Sequence, residues 1–504
     1  MVGIGRNSRP EPVDDGRMTK GGTVLERKQK KYIAIDLGAS NGRVIVGDLH
    51  EFTVVHRFIT HNETILGEMY WNVVGIFSEI RQGLKKAFAE YGDDIVSIGI
   101  DTWGVDYGLL DANGSLVSLA YHYRDDRTDG LIDEVSESFG GKMEVFRRTG
   151  IAFQPFNTLY QLAAMQRDRS AALAAAAHYL SIPDLLGYWL TGVMRNERTH
   201  ASTTQLYDPA TGDWAWEIID RMGFNRSLFG EIVDSGTVLG SLTETLRHEF
   251  GASEKVKVIA TAAHDTASAV AAVPAASGET PLYISSGTWS LLGVELPGPL
   301  LTQEAIDCGF TNEVSASGSI RFLKNIMGMW IQQECVRYWE SCGEKIGWKE
   351  LDEQTVVAAE TYQGMIDPND GRFLKPNSHD SLMIDRISRW CVEHGIVPPS
   401  SKGEYMVAIY RGLAKAYAEA IVHLASLTGR AFKTLNIIGG GSKNEILDQW
   451  AADETGLTVV AGPVEATALG NMIVQMFAMG DIGSLQEGRD LLREAQRVKV
   501  FAPR

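Results

Sequence analysis

The sequence predicts an α/β protein of two similarly built halves facing each other. Three observations carry this. A strand–turn–strand unit spans Tyr32 to Leu49 (YIAIDLGASNGRVIVGDL). A second unit of the same build, Pro281 to Glu295 (PLYISSGTWSLLGVE), lies about 250 residues further on. Between and after them, buried strands alternate with amphipathic helices through short glycine turns, the pattern of α/β layering. A chain of 504 residues accommodates two large domains. The expected division is a polar tail over 1–30, a first half over 31–277 and a second over 278–495.

In the first unit, β-branched runs flank Asp36, Gly38, Ser40, Asn41 and Gly42. Gly, Asn and Ser tolerate the positive φ of a hairpin turn. The same turn can hold a polyphosphate: bare amides and Arg43 face the oxygens, and Asp36 holds a hydrated Mg²⁺. An ordinary Asn-Gly hairpin is the alternative. The second unit runs from Leu282–Ile284 through Ser285, Ser286, Gly287 and Thr288 into Trp289–Val294. A nucleotide phosphate tail fits between two such turns.

The other elements follow in order. Helical spacing of Val74, Phe77, Ile80, Leu84 and Phe88 predicts a helix over 71–91, stopped by Gly92. A buried strand, 95–100, ends in Asp101-Thr102-Trp103-Gly104-Val105-Asp106-Tyr107, and ligands gather at the carboxyl ends of such strands. The Asp101–Asp106 carboxylates beside an indole and a bare glycine suit a sugar; alternatively Asp101 caps a turn and Trp103 is core. Residues 151–192 read as packing helices, one alanine-rich, with Gln154 and Asn157 in reach of a ligand. A strand over 256–260 leads to His264, Asp265 and Thr266 and a small-residue helix, 267–273. Asp265 there is either a helix cap or an acceptor for a hydroxyl proton.

In the second half, 321–333 passes from strand to helix and carries Lys324, Asn325 and Gln333. A long amphipathic helix over 404–427 closes at Gly429. A strand over 434–438 meets Gly439-Gly440-Gly441, which lets backbone approach a ring or ribose. Asn444 stands where the third glycine of G-x-G-x-x-G would be, so this is no dinucleotide fingerprint. In the helix 465–479, Ala466 and Gly470 permit close packing. No Walker loop, H-R-D or D-F-G occurs, which excludes P-loop and protein kinases on motif grounds.

Net charge of −17 argues against nucleic-acid and anionic-membrane partners. No apolar run reaches the ~18 residues that span a bilayer, and residues 1–31 lack the apolar core of a signal peptide. Their basic end, Arg27, Lys28, Lys30 and Lys31, reads as a solvated lead-in. Cys308, Cys335, Cys342 and Cys391 form no C-x-x-C pair, as expected of free thiols in the cytoplasm.

Taken together, DLGASNGR, IGIDTWGVDYGLLD, PFNTLYQL, AAHDTASAV, SSGTWSLLG, KNIMGMW, GGGSKN and AGPVEATALGN resemble the FGGY carbohydrate kinases over about residues 31 to 500. The resemblance implies two actin-like (ribonuclease H-like) ATPase domains around a cleft. It implies Mg²⁺-dependent transfer of the ATP γ-phosphoryl group to the 1-hydroxyl of L-rhamnulose. It places Ala39, Ser40, Asn41, Gly42, Arg43, Thr288, Gln333 and Gly440 on ATP. Gly104, His264, Asp265, Thr266 and Asn325 fall on the sugar, with Asp265 as proton acceptor. Asn41 departs from the serine frequent in relatives, and any disulfides of relatives do not carry over. The expected partners are a ketose and ATP, in a monomer or weak homo-oligomer. Three alternatives stand beside this: a kinase for L-fuculose or L-xylulose, a switch ATPase of actin or chaperone type, and an inactive sugar sensor.

Overall fold

Two mixed sheets carry the chain in this computed structural model, which describes residues 30–378 and 381–504. The first sheet runs, edge to edge, through Thr237–Ser241, Lys257–Ala260, Ile95–Thr102, Lys31–Leu37, Asn41–Gly47 and Phe52–Ile59. The second runs through Phe310–Val314, Ile320–Met327, Trp289–Leu296, Leu282–Ser286, Thr434–Ile438, Thr458–Ala461 and Lys499–Phe501. Each sheet repeats one plan. A hairpin strand pairs antiparallel with its partner on one side and parallel with one strand on the other, which in turn pairs parallel with a further strand. The likeness read between the two hairpins therefore extends to their whole sheets.

The strand Lys31–Leu37 is buried on both faces, which is why its sequence is apolar without alternation. Ile33, Ile35 and Leu37 pack with Ile76, Ile80 and Leu84 of the helix Val73–Tyr91. Tyr32 and Ala34, on the opposite face, pack with Leu469, Met472 and Ile473 of the helix Ala466–Ala478. Each such Ile, Leu or Met side chain contributes roughly 1.5–3 kcal/mol by leaving water. That second helix crosses from the far half of the sequence and lies against Asp265–Ala271. A Cβ at Gly470 would stand 1.8 Å from the Ser268 carbonyl oxygen, so any side chain there forces the two helices apart.

Several expectations change. The first hairpin turn closes with no positive φ among residues 38–42; Gly38 N–H simply donates to the Asn41 carbonyl at 2.9 Å. Gly42 is needed for space instead, since a Cβ would meet the Phe58 ring at 2.5 Å. The alanine-rich helix is only Ala171–Ala175, and the chain then extends as His178–Ser181, which pairs with Tyr107–Leu110. Here sheet pairing overrides alanine's helix propensity. The tail expectation over 1–29 lies outside the described residues. Lys30 pairs with Asp481, and Lys31 opens the first strand and pairs with Asp48 at 2.8 Å, so neither is part of a purely solvated lead-in. The four cysteines are free, and among the described residues no helix is long and apolar enough to cross a membrane.

Candidate active site

The parallel strands of both sheets point their carboxyl ends at one cavity of about 780 Å³. From the first half come Asp36, the turn Gly38–Asn41, Arg43, Gly104, His264, Asp265 and Thr266; from the second, Ser285–Thr288, Asn325, Gln333 and Gly440. Of the residues expected at ATP and sugar, Gly42 alone is set back from the cavity wall, behind Ala39–Asn41. This is the crevice at strand ends where open α/β sheets bind ligands.

At one end the two hairpin turns meet the glycine loop. Gly439 has φ +85, and a Cβ on Gly441 would strike Ser286 Oγ at 1.9 Å, so those two glycines serve the fold. Only Gly440 faces open space, leaving its backbone accessible to a ligand. Gln333 Oε1 is buried here without a hydrogen-bond partner, an acceptor in want of a donor. Arg43 is not a free cation. Its guanidinium is held between Asp36 of the first half and Glu465 of the second.

Three carboxylates lie close together here, Asp36 and Asp265 on the cavity wall and Asp101 buried behind it. Burial pushes Asp36 above its ordinary value against the opposing charges of Arg43 and Arg57. Burial and then the charge of Asp36 raise Asp101 well above the usual range. Asp265 is raised by burial and by Asp36, with His264 opposing. Asp101 donates nothing: one oxygen accepts from Asn471 Nδ2 at 2.6 Å and the other has no partner. Among the described residues no three His, Cys, Asp or Glu form a ready-made metal cage. The surplus negative charge beside a phosphate-sized turn fits a hydrated Mg²⁺, which takes one or two protein carboxylates and completes its shell with water and phosphate. Asp36, on the cavity wall, would hold it, and the ion would supply charge neutralisation for a phosphoryl group.

The other end is shaped differently from the expectation. Asp106 does not face the cavity. It is fully buried and accepts from Trp71 Nε1 at 2.6 Å, Trp103 Nε1 at 2.9 Å and Gln161 Nε2 at 2.9 Å, and burial raises its pKa to about 6. Asp101 is likewise internal, so the pair is a structural brace and not a sugar clamp. Trp103 is buried as well, its ring 4.0 Å from that of Trp71, yet it also borders the cavity. Beyond that indole, the brace presents backbone. Gly104 borders the cavity, and Val105 sits at φ +67, which a β-branched residue adopts only under constraint. Thr203 accepts from Val105 N–H at 3.1 Å and Thr158 donates to its carbonyl at 2.6 Å. Gln154 and Asn157 both border the cavity, and the Asn157 amide donates to Ala152 and Gln205.

Asp265 is the first residue of its helix, with His264 in the capping position. Its carboxylate is bonded by the adjacent Thr266, whose hydroxyl donates at 3.1 Å, and about a third of the side chain stays open to the cavity (32%). A carboxylate that is desolvated, raised and left accessible is suited to taking a proton. Glu313, Trp348, Asp352, Tyr410 and Glu465 also line the cavity and went unforeseen. No local pattern marks them, because each reaches the site through the fold of the second half.

The comparisons agree with this geometry. The FGGY family of carbohydrate kinases matches with its N-terminal domain over residues 31–272 and its C-terminal domain over 282–479. Among curated relatives, the rhamnulokinase of Halalkalibacterium halodurans is 42% identical over 93% of this chain and 98% of its own. That of Bacillus subtilis is 39% identical over 94% and 95%. Among solved structures, a ligand-bound xylulose kinase from Lactobacillus acidophilus aligns with TM-score 0.76 at 15% identity, covering 94% of both chains. Plasmodium falciparum glycerol kinase with ADP aligns with TM-score 0.72 at 16% identity, also over 94% of both. These structures share the fold, the two-domain actin-like (ribonuclease H-like) architecture. A switch ATPase without a sugar substrate is thereby set aside: the chain is a carbohydrate kinase and belongs to the FGGY family.

Proposed function

We propose that the protein transfers the γ-phosphoryl group of Mg·ATP to the 1-hydroxyl of L-rhamnulose, with Asp265 as the proton acceptor. The observation that carries this reading is the accessible, desolvated Asp265 at the floor of a cavity bordered by both hairpin turns. The choice of ketose is supported by relatives named rhamnulokinase that match at 38–42% identity over nearly the whole chain.

Phosphoryl transfer asks a protein mainly for positioning and charge neutralisation. The amides of Ala39–Asn41 and Thr288 would receive the phosphate tail, and Gly440 and Gln333 the rest of the nucleotide. Gly104, His264, Thr266 and Asn325 would hold the sugar with its 1-hydroxyl against Asp265. Arg43 would have to loosen from Glu465 to reach a phosphate oxygen. As the new P–O bond forms and the bond to ADP breaks, the hydroxyl proton passes to Asp265, a contribution of roughly 10²–10⁴-fold. Ordering the site only when sugar is present would keep water from taking the phosphoryl group.

ADP release measured over L-rhamnulose, L-fuculose and L-xylulose tests the assignment. The highest kcat/KM is expected on L-rhamnulose. A higher value on either other ketose would overturn the substrate, and turnover indifferent to sugar would overturn the reaction.

A further inference from the structure

His264 is held from behind by a charge pair of the opposite half. Glu313 and Arg321 stand directly across from each other on the antiparallel strands Phe310–Val314 and Ile320–Met327. Arg321 is wholly buried (0%), with Nη2 3.0 Å from Glu313 Oε2 and Nε donating to the Val314 carbonyl at 3.1 Å. The same Nη2 lies 3.1 Å from His264 Nδ1. A guanidinium can only donate, so Nδ1 must accept, and the proton of the neutral ring then sits on Nε2. Glu313 Oε2 is also 3.2 Å from Nδ1, but it lies closer to Arg321 Nη2, at 3.0 Å, so the carboxylate pairs with the guanidinium and stands within reach of the ring. Without Arg321, that carboxylate would be the natural acceptor for an Nδ1 proton, and the ring would reverse.

The orientation matters because of what Nε2 faces. It lies 3.5 Å from Asp265 Oδ1, and a Cβ built on Gly104 would come within 3.4 Å of it. A protonated Nε2 puts a donor beside the Asp265 acceptor, a complementary pair for two neighbouring oxygens of one polyol. A bare Nε2 would put two acceptors side by side.

We infer that Arg321 is a positioning residue that fixes His264 in its Nε2–H tautomer, so that His264 donates to the sugar next to Asp265. Glu313 balances the buried charge of Arg321 and does not set the tautomer. This rests on reading the cavity floor as the sugar site, but the tautomer itself does not.

The test is ¹⁵N NMR of the full-length protein labelled at histidine, with the His264 resonances assigned by their loss in His264→Gln. In the ligand-free wild type at pH 8 we expect a protonated Nε2 and a bare Nδ1; a protonated Nδ1 would overturn the inference with no variant needed. In Arg321→Met we expect the proton to move to Nδ1, towards Glu313, and the KM for L-rhamnulose to rise about tenfold or more, the scale of one lost hydrogen bond. An unchanged Nε2–H tautomer in Arg321→Met would overturn it. So would a reversed tautomer with unchanged sugar KM. Glu313→Gln keeps the Arg321 donor and should keep the Nε2–H tautomer; reversal there would assign the role to Glu313. If no ketose were turned over at all, the sugar reading would fail while the tautomer assignment was still judged by the spectra.

Discussion

Asp36 and Asp101 stand side by side, in register on neighbouring parallel strands, and only Asp36 has a cationic partner at hydrogen-bond distance. The fold thus keeps an under-compensated carboxylate directly behind the phosphate-facing turn. Its folded pKa is raised, so its ionised form is less favourable in the native state than in the unfolded chain.

Stability should therefore improve in Asp101→Asn. A raised carboxylate costs stability above the unfolded pKa, near 3.9, and costs nothing below it, where both states are protonated. Asn can still accept from Asn471 and can donate towards Asp36. We expect Tm at pH 7.5 to rise by on the order of 2 °C, with the gain shrinking towards pH 4. A Tm that falls, or a gain that grows on acidification, would contradict the charge argument.

Arg43 joins the halves through Asp36 and Glu465. Removing it in Arg43→Ala leaves two mostly buried carboxylates facing each other and should cost about 3 kcal/mol. Adding Glu465→Gln should restore part of that loss. Urea unfolding of both single variants and the double variant measures the coupling; strictly additive losses would mean the two residues act independently.

Sugar and nucleotide should help each other bind. The residues expected at each ligand come from both halves, so each ligand favours the same approach of the halves by its differential affinity. We expect positive coupling of about 1–3 kcal/mol. Titrating sugar with and without a non-hydrolysable ATP analogue reads it directly, and equal affinities would show a preformed site.

The acid limb of the kcat profile should lie above the ordinary carboxylate range. Burial and Asp36 raise Asp265, and its protonated form cannot accept the hydroxyl proton, so turnover falls as pH drops through that raised value. A limb at or below the ordinary aspartate value would detach catalysis from Asp265.

What the sequence made legible follows its local patterns. The hairpins at Tyr32–Leu49 and Pro281–Glu295, the helix closed by Gly92 and the strand ends bearing Gly104 and Asp265 all declare themselves within about ten residues, through period and turn chemistry. The misreadings concern partners distant along the chain. Asp101 and Asp106 look like ligand carboxylates until Asn471, Trp71 and Gln161 turn out to claim them. Arg43 looks free until Glu465 arrives from 422 positions away. Arg321 lies in a strand that reads as ordinary core, and nothing in its neighbourhood announces His264. Polar side chains satisfied across the two halves carry no period, so only the assembled fold assigns them.

Phosphoryl transfer here turns on Asp265 taking the sugar's proton. Turnover and sugar affinity of Asp265→Asn, measured together at saturating Mg·ATP, test it most directly. Asp265 is the first helical residue and not the cap, so Asn there forfeits only the charge term with the helix dipole, about 0.3–1 kcal/mol, and a merely structural role would leave activity near that of the wild type. We expect kcat to fall by at least about 100-fold while sugar dissociation changes by less than about threefold. Wild-type turnover in that variant would contradict the mechanism.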